Sequence, residues 1–96
     1  MKVIALLMTI TVLVFASSAE AADAAKGAKL YSSCISCHRK NGSGDESKRA
    51  PRLAGQYDWY IVTSLNDYKK GARRHPSMSL SEQDMQDLAA HISRLK

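Results

Sequence analysis

Cys34-Ile35-Ser36-Cys37-His38 lies about a third of the way along a chain of 96 residues and holds both of its cysteines. A structural disulfide gains most when it closes a long loop, because that removes the most disorder from the unfolded chain. Two thiols separated by two residues gain little in this way. The stretch therefore points to chemistry rather than to a staple, and which chemistry depends on the compartment, the fold and the side chains that could complete it.

The N-terminus bears on the compartment. Met1-Lys2 precedes an apolar run over residues 3–16, then Ser17-Ser18-Ala19-Glu20-Ala21-Ala22-Asp23. One early positive charge, an apolar run short for a bilayer span, and small residues at Ala19 and Ala21 predict a secretory signal peptide over residues 1–21. The mature chain then starts at Ala22 or Asp23. An uncleaved anchor is the rival reading, disfavoured by the short run and by flanks that suit a peptidase. No cysteine stands near the cleavage point, which argues against a lipid-modified terminus. The expected destination is the periplasm, with no integral membrane span in the mature chain.

Residues 22–96 make one expected domain of 75 residues, and the formal charge stays at +5 because Lys2 and Glu20 leave together. A chain of that length buries a marginal core and needs additional support. Three helices are expected. The last has the capping-box form Ser81-Glu82-Gln83-Asp84, followed by Met85, Leu88, Ala89, Ile92 and Leu95 at helical spacing. A middle helix begins near Asp58, carries Ile61, Val62, Leu65 and Tyr68 on one side, and ends at Gly71, a residue suited to a left-handed terminus. A first helix starts near Asp23 and runs through Gly27, Leu30 and Tyr31 toward the cysteines. Residues 39–49, with Asn41-Gly42-Ser43-Gly44, read as loop. No stretch alternates like a strand, so the fold class is all-α.

Within that frame the cysteine pair can be read by elimination. A thioredoxin-like dithiol belongs beside a βαβ pattern, which is missing here. A zinc site needs four ligands, and His75 and His91 stand 16 positions apart, too far for a finger pair. C-x-x-C-H is the signature of covalent haem attachment: Cys34 and Cys37, three apart on a helical turn, share one face for two thioether bonds, and His38 follows as an iron ligand. A second axial ligand opposite the histidine would be a methionine in an electron-transfer haem. Met1 and Met8 leave with the signal peptide and Met85 belongs to the last helix's stripe, which leaves Met78, in Arg74-His75-Pro76-Ser77-Met78-Ser79. His75, three residues earlier, is the competing ligand. His91 reads as a helix-packing residue, and Tyr57 and Trp59 as core near a helix start.

The chain resembles the class I small soluble bacterial cytochromes c, monohaem and His/Met-ligated, over nearly the whole of residues 22–96. Gly27, Tyr31 and CISCH resemble the family's first helix and attachment site. APRLAGQ, residues 50–56, resembles its Pro-x-Leu-x-Gly-Gln segment, and NDYKKGARRHPSM with LSEQDMQDLAAHISRL resembles its methionine loop and terminal helix. The resemblance implies three or more helices wrapped around one covalently bound haem c, with His38 and Met78 on the iron. It also implies that the Pro51 carbonyl accepts the other ring N–H of His38, a bond that fixes the imidazole's orientation. Gly27 would let the first helix approach the last. Two positions depart from the family pattern: His91 stands where an aromatic is common, and only Ser79 separates Met78 from Leu80-Ser81.

A tethered porphyrin would supply the missing core, with Leu30, Leu53, Leu65, Leu80 and Leu88 packed around it. No acid, base or nucleophile constellation stands out. The expected role is a periplasmic electron carrier or the cytochrome subunit of an oxidoreductase; a haem enzyme or gas sensor with a vacant or labile sixth iron position is the alternative. Basic residues cluster at Arg39-Lys40, Lys48-Arg49-Arg52, Lys69-Lys70 and Arg73-Arg74. Near a haem edge they would steer redox protein partners with an acidic docking face. Nucleic acid is not an expected partner for an exported haem protein.

Overall fold

The computed structural model describes residues 21–76 and 78–96, with residues 3, 5 and 8–13 ahead of them. Most of the expected signal peptide lies outside the described residues. Among the described residues four α-helices follow one another: α1 (Ala24–Leu30), α2 (Ile35–His38), α3 (Asp58–Lys70) and α4 (Glu82–Ile92). Short 3-10 turns occupy Tyr31–Ser33 and Glu46–Lys48. The described residues hold no strand, and the extended backbone meets only in an isolated bridge between Asp45 and Ala50. Among the described residues no helix is long and apolar enough to cross a membrane.

The capping box opens α4 as the spacing predicts. The backbone N–H of Asp84 donates to Ser81 Oγ at 3.0 Å, and the backbone N–H of Ser81 donates to Asp84 Oδ2 at 3.1 Å. Each satisfies an amide that the helix geometry leaves without a partner. Beyond the cap, Met85, Leu88, Ala89 and Ile92 are buried along one side and pack with Tyr31 from the first segment and Ile61 and Leu65 from α3. Full burial of a side chain the size of Leu88 contributes about 1.5–3 kcal/mol. The α3 helix ends at Gly71, whose left-handed backbone returns its N–H to the carbonyls of Asp67 and Tyr68.

The first segment differs from a single continuous helix. Asp23 caps α1 by accepting the N–H groups of Ala25 and Lys26, and after Leu30 the chain tightens into the 3-10 turn before α2 resumes with the cysteines. That tightening turns Tyr31 inward, where its hydroxyl donates to the carbonyl of Arg39 at 2.6 Å. Gly27 is buried where α1 crosses α4, and a Cβ added there would collide with the backbone carbonyl of Asp87. The missing side chain is what permits the approach. His91 fills the adjoining space, its ring tilted 52° to Tyr31 with centroids 5.2 Å apart.

Asp87 ties the crossing together. It is 1% exposed yet fully partnered, accepting the backbone N–H of Asp23 at 2.8 Å and the Gln83 side-chain amide at 2.9 Å, with the Lys26 ammonium 3.8 Å away. These donors, the Asp23 amide first, hold its carboxyl below the usual carboxylate range. Tyr57 and Trp59 do not join the core. They are 70% and 63% exposed and stack on each other, because α3 packs inward through Ile61, Ser64 and Leu65.

Candidate functional site

Cys34 forms the N-terminal boundary of α2, and Cys37 and His38 occupy its single turn, with the His38 amide donating to the Cys34 carbonyl at 2.9 Å. Helical geometry thus brings the two cysteines and the histidine together as their spacing requires. Both cysteines are free and half-buried. Burial pushes the Cys34 thiol up, the opposite of the thiolate stabilisation that a redox dithiol exploits.

The Nδ1 of His38, on a ring only 7% exposed, lies 2.9 Å from the carbonyl oxygen of Pro51. A carbonyl can only accept, so Nδ1 carries the proton and Nε2 keeps its lone pair free for a metal. Loop chemistry sets up this contact. Gly44, at φ 81°, donates its N–H to the His38 carbonyl at 3.0 Å, and Asp45 and Ala50 exchange backbone hydrogen bonds of 2.8 and 3.0 Å. A Cβ on Gly44 would stand 2.7–2.8 Å from Ala50 O, Arg52 N and Pro51 C. Only glycine can occupy that point, so Gly44 supports the Pro51 carbonyl from behind.

A cleft open to solvent at its mouth runs from this contact across α3 and α4. Cys34, His38, Pro51 and Met78 all line it, with Leu53, Ile61, Leu65, Leu88 and Ile92 as its apolar walls. Leu80 lines an adjoining pocket, also bordered by Met78, and Leu30 packs against the core. Cys37 is not on the cleft wall; it lies one turn on from Cys34. Met78 is half-buried and packs against the core cluster.

Several cleft residues escaped the sequence reading. Arg52 and Arg73 place two cations on the wall, and Gln56, Tyr60, Ser64 and Tyr68 add polar edges. Arg73 donates to Ser64 Oγ at 3.2 Å and lies over the Tyr68 ring, 5.0 Å from its centroid. A basic cluster was the only signal for Arg73, and it did not separate this residue from Arg74 beside it.

The donor set fits a c-type haem. A neutral imidazole with a free Nε2, a thioether, a neighbouring pair of thiols and apolar walls suit an iron porphyrin, and the two arginines suit its two carboxylates. Such a group, when bound, stores and releases one electron at its iron.

Comparison with known proteins agrees. The family model Cytochrome c matches residues 24–96. The chain is 38% identical to cytochrome c-554(547) of Halothiobacillus neapolitanus over 79% of its own length and 100% of that protein's. It is also 38% identical to the thiosulfate dehydrogenase electron acceptor of Thiomonas intermedia, over 67% of this chain and 32% of the relative. The crystal structure of reduced recombinant cytochrome c4 from Pseudomonas stutzeri superposes with a TM-score of 0.70 at 28% identity, covering 82% of this chain and 53% of that one. The chain spans about two fifths of the cytochrome c4 relatives it matches, 39% and 40% of their lengths. These relatives are named as cytochromes and as the electron acceptor of a dehydrogenase, and the solved one shares the all-α fold. With a family match from the first helix to the C-terminus, the chain belongs to the cytochrome c family, whose haem c is covalently bound.

Proposed function

We propose that this chain is a periplasmic electron-transfer protein, carrying one electron on a single haem c held by thioether bonds to Cys34 and Cys37. His38 supplies the first axial ligand through Nε2 and Met78 a sulfur ligand on the other side. The observation that carries this reading is the 2.9 Å contact between His38 Nδ1 and the Pro51 carbonyl, which fixes the tautomer that an iron ligand needs. Residues 1–21 act as a cleaved signal peptide that delivers the chain to the compartment where the haem is attached.

Burial in an apolar cleft disfavours the extra positive charge of ferric iron, and thioether ligation acts in the same direction, so a comparatively high reduction potential follows. Arg52 and Arg73 on the cleft wall, with the neighbouring basic clusters, favour a redox partner with an acidic face. The Thiomonas relative is named as the electron acceptor of a dehydrogenase, which supports a subunit or dedicated-partner role as well as a free carrier.

Spectroelectrochemistry of the purified holoprotein tests the reading. The expected result is reversible one-electron reduction with no appreciable carbon monoxide binding to the ferrous form. Ready carbon monoxide binding by the wild type would instead favour a sensor or enzyme with a vacant iron position.

A further inference from the structure

His75 stands across the cleft from His38 in a specific way. Their rings are parallel to within 1°, with centroids 6.0 Å apart. Two imidazoles bound to opposite sides of one metal hold their ring centres roughly 6 Å apart, because each metal–nitrogen bond of about 2 Å is extended by the radius of the ring. The two rings also share a tautomer. His38 Nδ1 is hydrogen-bonded to the Pro51 carbonyl at 2.9 Å and His75 Nδ1 to the Pro76 carbonyl at 3.0 Å. Both carbonyls accept, so both rings keep the lone pair on Nε2. Tyr68 stacks with the His75 ring, 4.6 Å between centroids and 29° between planes.

Met78 lines the same cleft but is held on a short leash. Only Ser79 and Leu80 separate it from Ser81, which the capping box locks at the start of α4, and its side chain packs against the core cluster. We propose that His75 is a second donor for the sixth iron position, binding the oxidised iron through Nε2 and giving way to Met78 on reduction. This rests on the reading of His38 as the first ligand of a haem c. Ferric iron is the harder ion and favours imidazole nitrogen, whereas ferrous iron is softer and favours thioether sulfur. With a haem c bound at this site, the gain of one electron from a donor protein would exchange an iron–nitrogen bond to His75 for an iron–sulfur bond to Met78.

The test uses the holoprotein and the single variants His75→Ala and Met78→Ala, each read by ferric optical and electron paramagnetic resonance spectra and by cyclic voltammetry. The ferric wild type should be low-spin with two nitrogen ligands and should lack the weak far-red sulfur-to-iron band. His75→Ala should gain that band, and Met78→Ala should stay low-spin when oxidised yet bind carbon monoxide when reduced. Fast voltammetric scans of the wild type should separate the reduction and oxidation peaks, and His75→Ala should close the gap. A far-red band of equal strength in the ferric wild type and in His75→Ala overturns the proposal, as does a high-spin ferric Met78→Ala. Haem staining after denaturing electrophoresis is run on every sample. An unstained wild type strikes at the attachment reading itself and is thereby told apart from a failure of the ligand exchange.

Discussion

His38 and Pro51, thirteen residues apart, meet through a hydrogen bond of 2.9 Å from the ring Nδ1 to the backbone carbonyl. The bond exists because the chain between them reverses over Gly44, whose N–H returns to the His38 carbonyl and whose missing side chain leaves room for the backbone of residues 50–52. One loop glycine thereby governs the orientation of the His38 ring.

Replacing Gly44 by alanine should be costly. The added Cβ meets backbone on three sides at a positive φ, so the loop must move, and a loss of about 1–3 kcal/mol is expected. The reduction potential should shift as well, because the Pro51 carbonyl no longer holds the His38 N–H. Chemical denaturation and voltammetry of the variant measure the two effects. A potential unchanged from wild type would detach Gly44 from the site and leave it a merely structural turn.

Gly27→Ala should weaken the α1–α4 crossing by about 1–3 kcal/mol, the usual cost of an overpacked interface. The carbonyl of Asp87 occupies the place the new methyl would take, and that carbonyl belongs to a helix that cannot yield locally. Thermal unfolding followed by circular dichroism reads the effect. An unchanged midpoint would mean that the two helices are less closely apposed than they are here.

Stability should fall on acidification. The Ser81 N–H holds the Asp84 carboxyl below its ordinary range, and the Asp23 N–H does so for Asp87. Both groups bind protons less readily in the folded than in the unfolded chain. Their contribution is therefore complete above the ordinary carboxylate value of about 3.9 and is lost as pH falls through the lower folded values. Denaturation midpoints measured between about pH 6 and pH 2 should decline at the acid end, and Asp87→Asn should flatten part of the decline. A variant with the full wild-type decline would remove Asp87 from this account.

Much of the fold was legible in the chain because its signals are local. Ser81 and Asp84 cap α4, the apolar stripe faces inward, and Gly71 stops α3, each decided within a few residues. That Cys34, Cys37 and His38 share one helical turn was legible for the same reason. What escaped depends on long-range path. Nothing in the spacing of Gly44 shows that its backbone will lie against residues 50–52. Nor does the sequence show that Arg73 will turn into the cleft over Tyr68, or that His75 will lie parallel to His38. Tyr57 and Trp59 read as core on hydrophobicity, yet α3 buries the opposite side and leaves them outside. Asp87 carries no sign in sequence of being buried, because two of its partners, Asp23 and Lys26, come from the far end of the domain.

The basic surface gives a kinetic expectation. If the clusters around Arg52 and Arg73 steer docking, the second-order rate of electron transfer with an acidic redox protein should fall as ionic strength rises, most steeply at low salt, where the screening length is longest. Stopped-flow measurement across a salt series reads the slope. A flat profile would leave the positive charge as solvated surface.

The central claim is that Cys34 and Cys37 hold the haem covalently, and denaturing electrophoresis with haem staining tests it most directly. Chain produced with its export sequence in a host competent for haem attachment should give a stained band that survives denaturation and acid extraction. The double variant Cys34→Ala/Cys37→Ala should give none and should unfold at much lower denaturant. A stained band from the double variant, or a wild-type band whose haem is lost on acid extraction, would contradict covalent attachment at this pair.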